Sequence, residues 1–123
     1  VIIKPKISYN TKEMYKKIDE QKNLIQEKNT NEIIKALEEN KIELIAENLY
    51  NVFESVVDEK KLIQNLKKEL IENGAIGSLM AGSGSCVFGI FENKEKAKSA
   101  YKKLKNTYQT YICTSFNSLR RIF

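Results

Sequence analysis

The apolar residues change their period as the chain is followed from its first residue to its last. Val1-Ile2-Ile3 is a β-branched run that predicts a strand over residues 1–4, and Pro5 confines the residues after it to extended or turn geometry. Asn10 or Thr11 is placed to cap a short helix with Glu13 in its first turn and Met14, Tyr15 and Ile18 on its apolar side. Residues 19–30 are polar and predict loop or a frayed turn. Thr30-Asn31 opens a second short helix that turns Ile33, Ile34 and Leu37 inward. After Asn40, the spacing of Ile42, Ile45, Leu49, Val52, Phe53 and Val56 predicts a third helix. Leu62, Ile63, Leu66, Leu70 and Ile71 repeat the period, and Asn73-Gly74 is a strong stop signal. Nothing repeats at a longer interval.

At Gly74 the pattern changes. Residues 75–91 contain no charge, and four of the five glycines, at positions 77, 82, 84 and 89, fall inside this segment. The expectation is a strand over 76–81, a tight turn over Gly82-Ser83-Gly84-Ser85, and a strand over 86–91. Asn93 then caps a helix with Ala97, Ala100, Tyr101 and Leu104 on one face, residues 110–116 alternate as a last strand, and 118–123 form a tail. The order β, helices, β, β, α, β predicts an α+β domain of the ferredoxin-like split βαβ type. Its sheet is mostly antiparallel, its helices share one face, and extra helices occupy the first crossover.

Composition narrows the chemistry. A chain of 123 residues suits one domain with a substantial core. The absence of His removes imidazole acid–base catalysis, Ser-His-Asp and Cys-His nucleophile systems, and His-containing zinc sites. Two cysteines, Cys86 and Cys113, are too few for a four-Cys metal site or a disulfide framework, and both read as small strand hydrophobes. The net charge of +5 comes from lysines such as Lys16-Lys17, Lys60-Lys61 and Lys67-Lys68 that are flanked by acids, a pattern of solvated faces rather than of a nucleic-acid surface. With no apolar run near the ~20 residues of a membrane span, neither a membrane nor a nucleic acid is expected as partner, and a reducing cytoplasm is the natural location. The chain opens at Val1 with a strand already under way, as expected either after removal of a tag or for a domain cut from a longer protein.

The glycine turn is the one candidate for chemistry. Successive small residues let backbone N–H groups turn outward into an anion-binding concavity; Gly82 and Gly84 can take positive φ, and Ser83 and Ser85 can add hydroxyl donors. The same residues also suit a plain hairpin connection. Familiar phosphate motifs do not fit: Ser83 stands where a Walker loop needs Lys, and Val87 where a dinucleotide fingerprint needs Gly or Ala. Gly74-Ala75-Ile76-Gly77 has the spacing of a KH loop but an apolar middle, and an RRM motif aligned on Val87 puts Gly84 and Cys86 at the stacking positions.

Residues 74–91, centred on Met80-Ala81-Gly82-Ser83-Gly84-Ser85-Cys86, resemble the third motif of the GHMP kinase superfamily. Ile7-Ser8-Tyr9-Asn10-Thr11-Lys12-Glu13-Met14-Tyr15 and Asn48-Leu49-Tyr50-Asn51-Val52-Phe53-Glu54 resemble the branch that acts on a diphosphocytidyl methylerythritol, although Ser8-to-Thr11 is one residue longer than its usual form. The resemblance covers the C-terminal domain of such an enzyme. It implies ATP and Mg²⁺ for the whole kinase, phosphorylation of the substrate's 2-hydroxyl in non-mevalonate isoprenoid synthesis, and the enzyme's own N-terminal kinase domain as partner. The catalytic Lys and Asp and the main phosphate loop would lie in that domain. No catalytic or metal-binding residue is therefore expected in this chain, nor any cofactor bound to it alone, and alone it should be inactive. Gly82, Ser83, Gly84 and Ser85 would support the phosphate loop. Tyr15 falls where the family places an aromatic that stacks on cytosine, or is a core-facing ring. Asn48, Asn51 and Glu54 match the family pattern, or only tie helices together. The alternatives are a stand-alone ferredoxin-like module binding RNA or a small ligand, and a GHMP kinase acting on mevalonate, homoserine or a galactose derivative.

Overall fold

Strand β1 (Ile2–Lys4) is an inner strand, paired antiparallel on one side with β3 (Val87–Ile90) and on the other with β4 (Gln109–Tyr111). The structure, a computed structural model, describes residues 1–21 and 30–115. β2 (Gly77–Met80) pairs with β3 from Gly77↔Ile90 to Met80↔Val87, giving a four-stranded antiparallel sheet in the order β2-β3-β1-β4. This is the order expected of a split βαβ unit. Between β1 and β2 run α1 (Thr11–Glu20), α2 (Thr30–Glu38), α3 (Ile42–Glu47), a 3₁₀ turn (Val52–Ser55) and α4 (Lys60–Glu72); α5 (Lys94–Leu104) joins β3 to β4.

Helix ends follow their capping chemistry. Asn10 Oδ1 accepts from the Glu13 amide at 3.2 Å and Asn93 Oδ1 from the Lys96 amide at 2.9 Å. α4 closes on Gly74, which takes φ +101 while the Ala75 amide reaches back to Leu70 O at 3.0 Å. Its buried stripe, Ile63, Leu66 and Leu70, packs on β2 and β3 and meets Ile3, Met14, Met80 and Val87 in one core.

Four local expectations are corrected. α1 continues through Glu20, so residues 19 and 20 are helical; residues 22–29 and 116–123, with the rest of the expected loop and the tail, lie outside the described residues. α2 buries Ala36 and leaves Ile34 and Leu37 46% and 55% exposed, because it rests on the six-residue α3 and only a narrow stripe finds cover. The third helix does not reach Val56. It stops at Glu47, Asn48 donates its side-chain amide to Leu44 O at 2.8 Å, and Asn51 is extended before the 3₁₀ turn. The last strand spans Gln109–Tyr111 rather than 110–116, since its partner β1 offers a ladder of three residues.

Candidate phosphate-binding turn

The β2–β3 connection is closed by the Ala81 amide donating to Cys86 O at 2.8 Å, which leaves residues 82–85 as the turn. Gly82 takes φ +54 and Gly84 φ +90, the left-handed region that glycine enters without strain. The two differ in surroundings. A Cβ on Gly84 would lie 2.6 Å from Tyr9 Cδ2 and 2.9 Å from Met80 Sδ, whereas a Cβ on Gly82 would meet nothing within 4 Å.

Side chains hold this turn from two directions. On the β1 side, Lys4 Nζ donates to Pro5 O (2.8 Å), Ile7 O (2.9 Å) and Ser85 Oγ (3.0 Å), and the Ser85 hydroxyl donates to Ile7 O. Ser85 is buried and its hydroxyl is committed inward. Ser83 Oγ lies 2.9 Å from Thr11 Oγ1, at the exposed start of α1. Opposite, Asn51 Nδ2 donates to Met80 O and to Gly82 O, both at 2.7 Å, while its Oδ1 accepts from the Phe53 amide at 3.0 Å. Glu54 Oε1 accepts from the Met80 amide at 2.7 Å, and its Oε2 pairs with Lys67 Nζ at 2.8 Å. The charge of Glu54 is thus matched away from the turn, and no carboxylate faces residues 82–85 among the contacts described.

Of the turn's amides, that of Gly84 donates to Ala81 O at 3.0 Å and is used up internally. The amides of Gly82 and Ser83 have no protein acceptor among the described residues. What the turn can do chemically is offer oriented neutral donors to an anion; it holds no acid or base.

Tyr15 is 57% exposed and meets Phe53 edge to face, with ring centroids 5.0 Å apart. It is therefore a surface ring braced by the 3₁₀ turn, and not a core residue. Ser8, Tyr9, Asn10, Glu13, Met14, Lys17, Asp58 and Glu59 line a cavity of about 160 Å³. There Lys17 pairs with Asp58 at 2.7 Å and the Tyr9 hydroxyl donates to Glu59 Oε2 at 2.7 Å. Burial, then that bond to Glu59, pushes the Tyr9 phenol well above its ordinary value of 10.0. No group of three or more Cys, Asp or Glu is placed to hold a metal among the described residues.

Sequence reasoning placed the turn and Tyr15. Asn51 and Glu54 stood out there as a match to the family pattern or as helix ties, and the contacts of Lys4, Tyr9 and Thr11 with the turn were missed. A lysine before Pro5 carries no signal that its ammonium will meet Ser85, 81 positions away.

The profile described as GHMP kinases C terminal matches residues 33–110. The 4-diphosphocytidyl-2-C-methyl-D-erythritol kinase of Clostridium tetani (strain Massachusetts / E88) is 40% identical over 114 residues, which are 91% of this chain and 40% of that protein. The chain thus spans about two fifths of the length of such curated relatives. The crystal structure of a 4-(cytidine 5'-diphospho)-2C-methyl-D-erythritol kinase superposes with a TM-score of 0.69 at 20% identity, over 88% of this chain and 39% of that one. Homoserine kinase from Cytophaga hutchinsonii gives 0.66 at 23%, over 85% and 35%. At these identities the structural likeness speaks to the fold.

Proposed function

The chain belongs to the GHMP kinases C-terminal family, and from that premise we propose that it is the phosphate- and substrate-lining domain of an ATP-dependent kinase for the 2-hydroxyl of 4-diphosphocytidyl-2-C-methyl-D-erythritol. The observation that carries this reading is the turn itself. It is clamped on two sides, free of carboxylates, and keeps the Gly82 and Ser83 amides without a protein acceptor among the described residues. Phosphoryl transfer asks of a protein chiefly positioning and charge stabilisation, which such amides supply.

ATP, when bound to the whole enzyme, supplies the phosphoryl group. The donor set here suits phosphate oxygens and not Mg²⁺, since the described residues bring no carboxylate cluster together. On this reading the metal and the proton-transferring groups are supplied by the enzyme's N-terminal domain, the partner of this one. Gly82 and Ser83 do the holding, Gly84 shapes the turn, and Ser85 braces it from within. Tyr15 supports the substrate reading because its exposed ring, braced by the T-shaped contact with Phe53, is available to stack on a cytosine ring. No described helix is long and apolar enough to cross a membrane, and the free thiols of Cys86 and Cys113 suit a reducing cytoplasm.

The test uses the full-length enzyme that ends in this chain, assayed for ATP-dependent phosphorylation of the diphosphocytidyl substrate. Asn is at ease near φ +54 and has space at position 82. Gly82→Asn should therefore melt within a few degrees of wild type and yet lose on the order of 10²-fold in turnover. Full turnover by a folded Gly82→Asn enzyme would show that the turn is only a hairpin connection.

A further inference from the structure

Asn51 governs more than the break between two helices. Its side-chain orientation is fixed at both ends: Oδ1 receives the Phe53 amide at 3.0 Å, and both Nδ2 hydrogens are spent on Met80 O and Gly82 O, each at 2.7 Å. Gly82 O belongs to the same peptide unit as the Ser83 N–H. In a planar trans peptide the carbonyl and the amide point in opposite directions. Holding Gly82 O toward the 3₁₀ turn therefore aims the Ser83 N–H away from that turn, where it meets no protein acceptor among the described residues.

We propose that Asn51 is the positioning residue that sets the Ser83 amide as a donor to the transferring phosphoryl group. This rests on the reading of the turn as phosphate-facing. Without Asn51 the Gly82–Ser83 unit has little to fix it. Gly82 has open space around it, the bond from the Gly84 amide to Ala81 O spans the unit without engaging its own carbonyl or N–H, and the side-chain brace left on Ser83 is the exposed hydroxyl contact with Thr11. A plane flip there would replace the outward N–H with a carbonyl oxygen, which repels phosphate. One side chain thus decides whether the turn attracts or repels its ligand.

Asn51→Asp isolates this role. Aspartate keeps the shape and the cap on Phe53, but it turns a carboxylate oxygen toward two carbonyl oxygens. The full-length enzyme carrying Asn51→Asp is crystallised to read the Gly82–Ser83 plane, and its kcat and KM are measured. The expected result is a rotated or mixed plane, and kcat lower by about 10²-fold with the KM of the alcohol substrate unchanged. Asn51→Ser, which also keeps a capping oxygen but cannot reach Gly82 O, should act in the same direction; it stands in should the aspartate variant not fold. A plane that stays in place in folded variants overturns the inference and leaves the reading of the turn intact. A rotated plane with unchanged kcat overturns both. A purely structural Asn51 would lower the melting temperature alone.

Discussion

Gly82 and Gly84 share positive φ and lie two residues apart, but substitution should separate them cleanly. At Gly84 any side chain meets left-handed strain and a collision with the Tyr9 ring and Met80 sulfur. Strain and overpacking each cost about 1–3 kcal/mol, so Gly84→Ala should lower the free energy of unfolding by about 3 kcal/mol. Gly82→Asn, with no collision and a tolerant residue, should cost under about 1 kcal/mol. Urea titration of the two variants checks this, and equal losses would refute the difference in packing. The position of the turn was legible in the sequence, because charge vanishes and glycine accumulates there. The division between the two glycines was not, because it is made by Tyr9, a residue distant in sequence whose ring reaches Gly84 only once the sheet has formed.

Among elements, the most informative is the outer edge of β2. Among the described residues this strand has one neighbour, β3, and its last residue offers its amide and carbonyl to side chains instead of to another strand. Glu54 of the 3₁₀ turn and Asn51, which caps it, act there as a substitute for a fifth strand. Glu54→Ala would leave the Met80 amide and the Lys67 ammonium without their partner, in a pair whose side chains are only 14% and 22% exposed. Its cost should be about 3 kcal/mol, while Glu54→Gln, which keeps the acceptor for Met80, should cost about 1 kcal/mol. Chemical denaturation of both variants decides the matter: if they lose the same amount, the Met80 bond contributes nothing. The failed expectation of one long third helix has its cause in the same place. Spacings of three and four are satisfied equally by a short helix and a 3₁₀ turn in succession. What separates the two is a pair of asparagines, Asn48 bonding back into α3 and Asn51 bonding across to a turn about thirty positions on. Local pattern carries no trace of that second bond.

At the scale of the molecule, the sheet order was readable because a strand, helices, a hairpin, a helix and a strand leave few ways to pair without crossing connections. The site was readable only in half, since glycine and the loss of charge mark the turn but nothing local marks Lys4, Asn51 and Glu54, which hold it from distant positions. The core is continuous: Ile3, Met14, Ile63, Leu66, Leu70, Met80 and Val87 are all fully buried against one another's elements, and each strand finds its partner within the chain. A chain with such a core should fold alone in one cooperative step, with backbone circular dichroism and tyrosine fluorescence unfolding together in urea. Transfer is a different requirement. The chain has no His, the described residues group no metal-binding carboxylates, and the turn provides donors but no base. Aligned amides without a held nucleotide and an activated hydroxyl leave the main part of the barrier in place. The isolated chain, supplied with ATP, Mg²⁺ and the diphosphocytidyl alcohol, should therefore release no ADP above background, while the full-length enzyme turns over under the same conditions. ADP release by the pure, folded chain would mean that the division of labour is drawn in the wrong place, and that a base and a nucleotide site are hidden within these 123 residues.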